Sequence, residues 1–409
     1  MAHPAMGEQP APPATPGELG TLPPHHVGRH IPALDGIRGL AAALVMFWHF
    51  GRVAPAGSGM GGAVVAGVTQ FGWAGVDLFF VLSGFLITGI LVDTRDRPDF
   101  FRTFYKRRTL RIFPLYFAFI ALYLYVIIPL LGGESTDLYP RQRWVWTYLV
   151  NFDIALHGWF SGVGSHANNL WSLAIEEQFY LVLPMLVFLL PRRKLWWVAS
   201  ACVVGALVAR VAIAYLGYPT RVAYVLTFTR VDGLGLGVLL ALLARNGDVF
   251  RRLVPIARVT LVTALAVVIV DCLRADRFSM DDWSTLLVAE PALTIGFAAM
   301  LLLTVADNGS AVCRTLFESR TLRFLGLYSY GLYIWHPLMG RLVSRAGVTQ
   351  PAMTDLLGSA FAAFLLVVAV KVIAATLAAV TSYYVIERPF LLLKDRPLWR
   401  RNKVGVAAP

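Results

Sequence analysis

The sequence predicts an all-α membrane protein with about ten transmembrane helices, and three observations lead to this prediction. Hydrophobic residues make up 57% of the chain and charged residues only 15%, whereas soluble domains contain about 25% charged residues. The mean hydropathy is +0.64. The apolar residues form runs of about twenty, the length that a helix needs to cross a bilayer. These runs lie at approximately 34–53, 70–92, 112–131, 170–190, 195–216, 226–245, 254–273, 285–305, 324–344 and 357–386.

The distribution of lysine and arginine predicts the orientation of these helices, because cytoplasmic loops are enriched in both residues. If the N-terminus is cytoplasmic, the basic clusters all fall in cytoplasmic loops, and the opposite loops hold isolated arginines. We therefore predict that both termini are cytoplasmic. The apolar segment 144–157 is short and contains Asn151 and Asp153, so we interpret it as interfacial or re-entrant. The cytoplasmic clusters lie at 95–111, 192–194, 245–258, 314–323 and 388–403.

The chain divides into one membrane domain and two polar ends. Residues 1–30 are rich in proline, glycine and alanine and lack the apolar stretch of a signal peptide, which predicts a disordered cytoplasmic tail. Residues 31–392 form the transmembrane domain, and residues 393–409 form a basic cytoplasmic tail. Because the chain ends soon after Arg401, we expect the membrane domain to carry out the whole reaction.

Cysteine spacing and net charge exclude two classes of function. The three cysteines lie far apart and show no metal-ligand spacing, so neither a disulfide framework nor a metal site is predicted. The net charge of +12 comes from basic residues between apolar runs. Membrane topology explains this charge better than nucleic-acid binding does, and we expect no nucleic-acid partner. The cysteines are Cys202, Cys272 and Cys313.

The first apolar run contains an arginine and a histidine at a spacing that indicates function. Arg38 and His49 are eleven residues apart, which is about three helical turns, so they share one helix face about 16 Å apart. Ionisable groups within a membrane are costly and commonly mark a functional site. Asp35 precedes Arg38 by three residues and is expected to hold its guanidinium in place.

Polar groups on other predicted helices lie at a depth similar to that of His49. Counting 1.5 Å per residue places five of them about 20 Å from the cytoplasmic ends of their helices. This agreement predicts one shared polar cavity, and His49, Asp77, Glu176 and His336 are the predicted catalytic residues in it. Glu176 is favoured over Glu177 because it lies four residues from Ser172, on the same face. The five residues are His49, Asp77, Glu176, Asp232 and His336.

Two of these residues, Asp77 and His336, each have two possible roles. Asp77 either orients His49 and accepts its proton, or is a buried carboxylate that serves packing. His336 either contributes to the site or is a core histidine beside the helix kink expected at Pro337. The sequence leaves both pairs of alternatives open.

The basic cluster before Pro114 is a candidate binding site for an anion. Arg108 and Arg111 are three residues apart, so both guanidiniums lie on one helix face and can bind phosphate. The alternative is an anchor for anionic lipid headgroups. With Arg38 nearby and His49 farther along the same helix, the pattern indicates a long ligand with an anionic head, such as acyl-CoA. His49 would then act as general base or as a transiently acylated nucleophile.

Several segments, in order, carry a family resemblance that extends from about residue 30 to 392. Between them the chain resembles the membrane-bound acyltransferase 3 family. The segments are Asp35-Gly-Ile-Arg38-Gly with His49, Gly75-Val-Asp77-Leu-Phe-Phe-Val-Leu-Ser83-Gly, Tyr105-Lys-Arg-Arg108-Thr-Leu-Arg111-Ile-Phe-Pro114, Trp171-Ser-Leu-Ala-Ile-Glu176-Glu-Gln-Phe-Tyr180, Tyr328-Ser-Tyr-Gly-Leu-Tyr-Ile-Trp-His336-Pro337 and the closing Tyr384-Val-Ile-Glu387-Arg-Pro389.

The resemblance implies transfer of an acyl group, often acetyl, from acyl-CoA to hydroxyls of carbohydrates such as surface polysaccharides and Nod factors, or to macrolide antibiotics. It also implies that His49 is the catalytic histidine with Arg38 as its partner, and that Arg108 and Arg111 lie on the donor side. We place Asp35 and Ser83 with these donor-binding residues.

The function predicted from the sequence is O-acylation of a carbohydrate in the cell membrane, with acyl-CoA as co-substrate and no metal. Expected partners are acyl-CoA, a hydroxyl-bearing carbohydrate or glycosylated acceptor and the lipid bilayer. A homo-oligomer is left open. The alternatives are a macrolide acceptor or, from another class, an ion-coupled transporter that uses the same charged layer as its substrate site.

Overall fold

A computed structural model describes residues 31–52, 55–132, 136–275, 278–306 and 315–393. Most of both predicted tails, at 1–30 and 393–409, lies outside these residues. Within them the chain is helical and contains no β-strand, as the sequence predicts. Numbering only helices of eight or more residues, the order is α1 Pro32–Gly51, α2 Gly59–Thr69, α3 Gly75–Thr94, α4 Phe100–Leu122, α5 Leu138–Trp146, α6 Val150–His157, α7 Leu170–Leu189, α8 Arg192–Tyr215, α9 Thr227–Leu243, α10 Val254–Ala275, α11 Glu290–Ala306, α12 Arg320–Leu327, α13 Ser329–Arg345, α14 Gln350–Leu357 and α15 Ala360–Ser382.

Nine helical stretches in the described part of the chain are long and apolar enough to cross a membrane. They correspond to nine of the ten predicted runs. The remaining run, 324–344, is divided at Tyr328 into α12 and the 17-residue α13. The backbone N–H of Tyr328 caps α12 by donating to carbonyls of its last turn. The chain is therefore a polytopic all-α membrane protein, and α13 is shorter than the nine spans.

The segment 144–157 contains the end of α5, a turn and α6, and neither of these two short helices is long enough to span a bilayer. Tyr148 lies at its turn with a positive φ of 56°. The Tyr148 ring stacks on Tyr116 with centroids 4.0 Å apart, and the Tyr148 carbonyl accepts a hydrogen bond of 2.9 Å from Gln178 Nε2. Because Tyr116 and Gln178 lie well inside α4 and α7, the segment enters the helix bundle between them. This geometry agrees with a re-entrant segment.

A buried network of five charged side chains joins four helices. Arg210 of α8 contacts Asp232 of α9 at 2.5 Å and Glu290 of α11 at 2.6 Å. Arg230 of α9 pairs with Glu290 and with Asp77 of α3. None of the five residues is more than 6% exposed. Charges can be buried to this extent only when they are paired, so the network has a structural role and joins these helices.

Glycines allow α1 and α12 to pack backbone against backbone. A Cβ atom at Gly39 would lie 1.9 Å from the carbonyl oxygen of Leu322, and one at Gly326 would lie 1.9 Å from that of Asp35. Small residues permit this close approach between membrane helices. The contact also determines how α1 is placed, and therefore where it presents Arg38 and His49.

Gly39→Ala is therefore expected to destabilise the protein. The methyl group has no space beside the backbone of α12, and overpacking of this kind costs about 1–3 kcal/mol. Thermal unfolding of the purified protein in detergent measures the effect. The matched control is Gly205→Ala in α8, where a Cβ would meet nothing within 4 Å; its melting temperature should be unchanged or higher. Equal losses in both variants would contradict the close-packing interpretation.

Candidate active site

A cavity of about 820 Å³ opens between α1, α3, α4, α7 and α13. Its size lies within the usual range for small-molecule sites, about 300–1,000 Å³. We call it the arginine cavity. All five residues predicted to bind the donor line it, together with Glu176. These residues are Asp35, Arg38, Ser83, Arg108, Arg111 and Glu176.

Six arginines line the arginine cavity, and three of them, Arg38, Arg108 and Arg111, are the arginines predicted to bind the donor. Asp35 holds Arg38 at 3.2 Å, one turn away on α1, as the spacing predicts. Arg108 and Arg111 lie one turn apart on α4, and the Arg108 guanidinium lies 5.6 Å from the centroid of the Tyr180 ring. Among residues the structure describes, only Arg38 of the three has a carboxylate within ion-pair distance. The cavity therefore offers cationic groups that can bind an anionic ligand.

Glu176 and Ser83 form a hydrogen-bonded pair in the lining of the arginine cavity. The Ser83 hydroxyl donates to Glu176 Oε1 at 2.7 Å, and its oxygen lies 2.9 Å from the Tyr180 hydroxyl. Ser172 also lines the cavity and Glu177 does not, which confirms the predicted face of α7. The prediction that Glu176 shares a cavity with His49 is wrong, because neither His49 nor His336 lines the arginine cavity. Ser83, the hydrogen-bond partner of Glu176, lies six residues, or about 9 Å, from Asp77 along α3. Glu176 and Asp77 therefore lie at different depths, although counting residues from the helix ends places them at the same depth.

The two histidines that lie within predicted spans meet. His336 Nε2 is 3.2 Å from His49 Nδ1, and the ring centroids are 4.5 Å apart. His336 is fully buried, whereas His49 is exposed. His49 Nδ1 lies 2.9 Å from the carbonyl oxygen of Val45, and His336 Nδ1 lies 3.0 Å from that of Leu332. The structure thus brings together two of the four predicted catalytic residues.

The two carbonyl groups assign the protons of the neutral histidine pair. A carbonyl oxygen can only accept a hydrogen bond, so Nδ1 carries the proton in both rings. His336 Nε2 is then an acceptor for the Nδ1–H of His49. The same assignment leaves His49 Nε2 without a proton and with a free lone pair. This nitrogen can act as a base or as a nucleophile.

Asp77 does not orient His49, so the first of the two roles considered for it is wrong. Its carboxylate pairs with Arg230 in the buried network, and in the part of the chain that the structure describes it makes no hydrogen bond to His49. The physical reason is that a buried carboxylate is stabilised most by the cation beside it. His336 holds the position at His49 Nδ1 that was expected for Asp77. The predicted single polar layer is therefore three separate groups: the histidine pair, the charged network and the arginine cavity.

Tyr333 separates the arginine cavity from the histidine pair. Tyr333 lines the cavity, whereas neither histidine does, and its ring centroid is 5.9 Å from that of His336. Its hydroxyl lies 2.5 Å from Ser172 Oγ and donates to the carbonyl oxygen of Asn169 at 3.0 Å. Sequence reasoning missed Tyr333 and Asn169. The position of Tyr333 three residues before His336, on the same helix face, was a usable signal.

Comparison with known proteins places this site in a family. The family described as an acyltransferase domain, acyltransferase 3, matches residues 31–380. This range covers most of the chain and contains every residue of the arginine cavity and the histidine pair. The chain belongs to the acyltransferase 3 family, which confirms the resemblance found in the sequence.

Its relatives include named bacterial O-acetyltransferases. The chain is 30% identical over 401 residues to the putative peptidoglycan O-acetyltransferase YrhL of Bacillus subtilis, covering 92% of this chain and 57% of YrhL. It is 26% identical to the peptidoglycan O-acetyltransferase OatA of Listeria monocytogenes, covering 79% and 51% of the two chains. For O-acetyltransferase OatA of Staphylococcus aureus the identity is 27%, covering 75% and 50%. The chain thus spans about half the length of these relatives. No solved structure matches it.

Proposed function

We propose that this protein is an O-acyltransferase of the plasma membrane that moves an acetyl group from cytoplasmic acetyl-CoA to a hydroxyl of a cell-wall carbohydrate. The observation that carries the proposal is the alignment of two groups along α1. Arg38 faces the arginine cavity, and His49 lies about 16 Å farther along the same helix with an unprotonated Nε2. Family membership and relatives named as peptidoglycan O-acetyltransferases support the reaction class.

The arginine cavity suits the donor because it combines cationic side chains with the polar groups of Ser83, Glu176 and Tyr333. The nucleotide phosphates would bind Arg38, Arg108 and Arg111, for which guanidinium groups are suited. The pantetheine arm would then pass Ser83 and Glu176. The basic cluster at 95–111, which contains Arg108 and Arg111, supports a cytoplasmic position for this part of the cavity.

Acyl transfer at the histidine pair needs no reactant other than acetyl-CoA and the acceptor hydroxyl. In the base-catalysed route, His49 Nε2 takes the proton of the acceptor hydroxyl while that oxygen attacks the thioester carbonyl carbon. The new C–O bond forms, the C–S bond breaks, and the proton passes to the CoA thiolate. In the alternative route His49 Nε2 attacks the thioester carbonyl carbon, so an N–C bond forms, the C–S bond breaks and the CoA thiolate leaves. The acceptor hydroxyl oxygen then attacks the acetyl carbon, the N–C bond breaks, and the hydroxyl proton passes to the CoA thiolate. In both routes His336 stabilises the positive charge that develops on His49.

Tyr333 must leave its position for the thioester to reach His49. In this structure its ring lies between the arginine cavity and His336, held by Ser172 and Asn169. Rotation of the Tyr333 side chain would break two hydrogen bonds and join the two compartments. Such a step would protect the thioester from water until the donor is bound.

The proposed function is tested with purified protein in detergent, [¹⁴C]acetyl-CoA and soluble peptidoglycan fragments. The expected result is radiolabelled, base-labile ester on the glycan and one free CoA thiol per ester formed. A macrolide offered in a parallel reaction should remain unlabelled. If reconstituted vesicles instead accumulate a substrate intact and the thioester is not consumed, the protein is a transporter and the proposal is wrong.

The double variant Arg108→Gln and Arg111→Gln should raise the KM for acetyl-CoA by about tenfold or more. Charge-assisted hydrogen bonds to phosphate contribute about 1.5–3 kcal/mol each. The KM of the glycan should change much less. Arg102→Gln is the matched control, because Arg102 is exposed on the same helix and does not line the cavity. An effect confined to the glycan KM, or an equal effect of Arg102→Gln, would contradict the assignment of the donor phosphates.

A further inference from the structure

An arginine lies beside the histidine pair on the side away from the arginine cavity. Arg52 follows the end of α1, and its guanidinium carbon lies 4.2 Å from the centroid of the Trp48 ring. The Trp48 ring meets the His49 ring edge to face at 4.5 Å. Arg52 and His49 are both exposed. A guanidinium is thus held against an indole, one helical turn from the nitrogen proposed to act on the acceptor hydroxyl.

Among the described residues, no carboxylate forms an ion pair with the Arg52 guanidinium. Stacking on an aromatic face restrains an arginine while leaving the N–H groups at the edge of its plane free to donate. Two such N–H groups match the two oxygens of a carboxylate. Arg52 therefore resembles a binding group more than a member of a structural ion pair.

A second segment, the 3₁₀ turn that contains His166, also lies near His49 and adds no negative charge there. The groups that act electrostatically on His49 are Arg52 and His166, and His166 lies in the 3₁₀ turn Gly162–Ala167. Burial, with a smaller contribution from Arg341 of α13, lowers the pKa of His166 to about 4. His166 is therefore neutral at pH 7, and within the described structure its buried Nε2 has no hydrogen-bond partner. One cation, Arg52, and one unused polar atom, Nε2 of His166, therefore lie near His49.

We infer that this region binds an acceptor carbohydrate that carries a carboxylate, with Arg52 on the carboxylate and His49 Nε2 on the hydroxyl to be acylated. The inference rests on the proposed function and names the acceptor's chemical class. Side chains one helical turn apart have Cβ atoms about 5–6 Å apart, so the carboxylate and the hydroxyl lie on one sugar or on its neighbour. His166 Nε2 provides an additional polar contact. A neutral acceptor would leave the Arg52 charge without a partner.

The test compares two acceptors that differ only in charge. One is a GlcNAc–MurNAc disaccharide with its free lactyl carboxylate, and the other is the same disaccharide with that carboxylate converted to a methyl amide. Ester formation from [¹⁴C]acetyl-CoA is measured with protein in zwitterionic detergent. The wild-type protein is expected to prefer the carboxylate form. Arg52→Gln should raise its KM for that form about tenfold or more, so that both forms are used with similar kcat/KM.

Two further variants separate binding from folding. Arg52→Lys retains the charge but loses the planar fork, and it should keep part of the preference. Arg345→Gln is the control, because Arg345 is an exposed arginine at the end of α13 that donates to the carbonyl of Leu131; its preference should equal that of the wild type. If Arg52→Gln weakens both acceptors equally, or retains the preference, the inference is wrong.

The remaining outcomes are also distinguishable. If the wild-type protein acylates both forms without preference, the proposed function stands and the acceptor class is overturned. If it acylates neither form, the proposed function fails for this glycan and the inference fails with it. A loss in Arg52→Gln that appears only in anionic lipid vesicles would reassign Arg52 to a lipid headgroup and overturn the inference.

Discussion

His49→Ala is expected to lower kcat for acyl transfer by about 10²–10⁴-fold, the usual contribution of a positioned general base. Loss of the imidazole removes the only side chain of the histidine pair that is exposed, and His336 is fully buried behind it. The measurement is the initial rate of ester formation from labelled acetyl-CoA at saturating donor and acceptor. The KM for acetyl-CoA should change little, because the phosphates are proposed to bind at the arginine cavity.

Two further histidine variants make this result specific. His336→Ala removes the acceptor for the Nδ1–H of His49, so it should reduce kcat by a smaller factor than His49→Ala. His157→Ala is the control: this exposed histidine lies in α6 and contacts Asp153, and its loss should leave kcat unchanged. If His49→Ala retains full turnover, the proposed mechanism must be abandoned.

Arg230→Met should have the largest effect on stability, about 3–5 kcal/mol. Arg230 is fully buried, and its removal leaves the buried carboxylates of Asp77 and Glu290 with one fewer cation. The measurement is thermal unfolding of the purified protein in detergent, followed by tryptophan fluorescence. A second variant that combines Arg230→Met with Asp77→Asn should recover part of the loss, because it also removes one unpaired carboxylate.

The control for Arg230→Met is Arg274→Met. Arg274 lies at the exposed end of α10, and exposed charges contribute about 0–1 kcal/mol. Its melting temperature should remain close to that of the wild type. If the melting temperature of Arg230→Met also equals that of the wild type, the network does not hold the four helices together as described.

The sequence predicted contacts within single helices well. The Asp35–Arg38 pair, the common face of Arg108 and Arg111, and the common face of Ser172 and Glu176 all follow from the 3.6-residue period. The structure contains each of them. The class of the protein was also accessible, because composition and run length distinguish a membrane protein from a soluble one.

Contacts between helices were predicted less well. Depths counted from helix ends grouped Asp77 and Glu176 with His49, although Asp77 pairs with Arg230 and Glu176 with Ser83. The count treats every helix as upright and gives no information on rotation about its axis. Close contacts between helices, such as that of Gly39 with Leu322, determine both the tilt of a helix and its rotation about its axis.

The sequence by itself therefore determined the membrane class, the apolar runs, the family and the positions of Arg38 and His49 on one face of α1. Only the tertiary structure decided that His336 is the partner of His49, that Asp77 belongs to a structural network and that Tyr333 separates the two compartments. The physical reason is that backbone hydrogen bonds fix geometry within a helix, whereas packing of side chains and glycines from distant parts of the chain fixes geometry between helices.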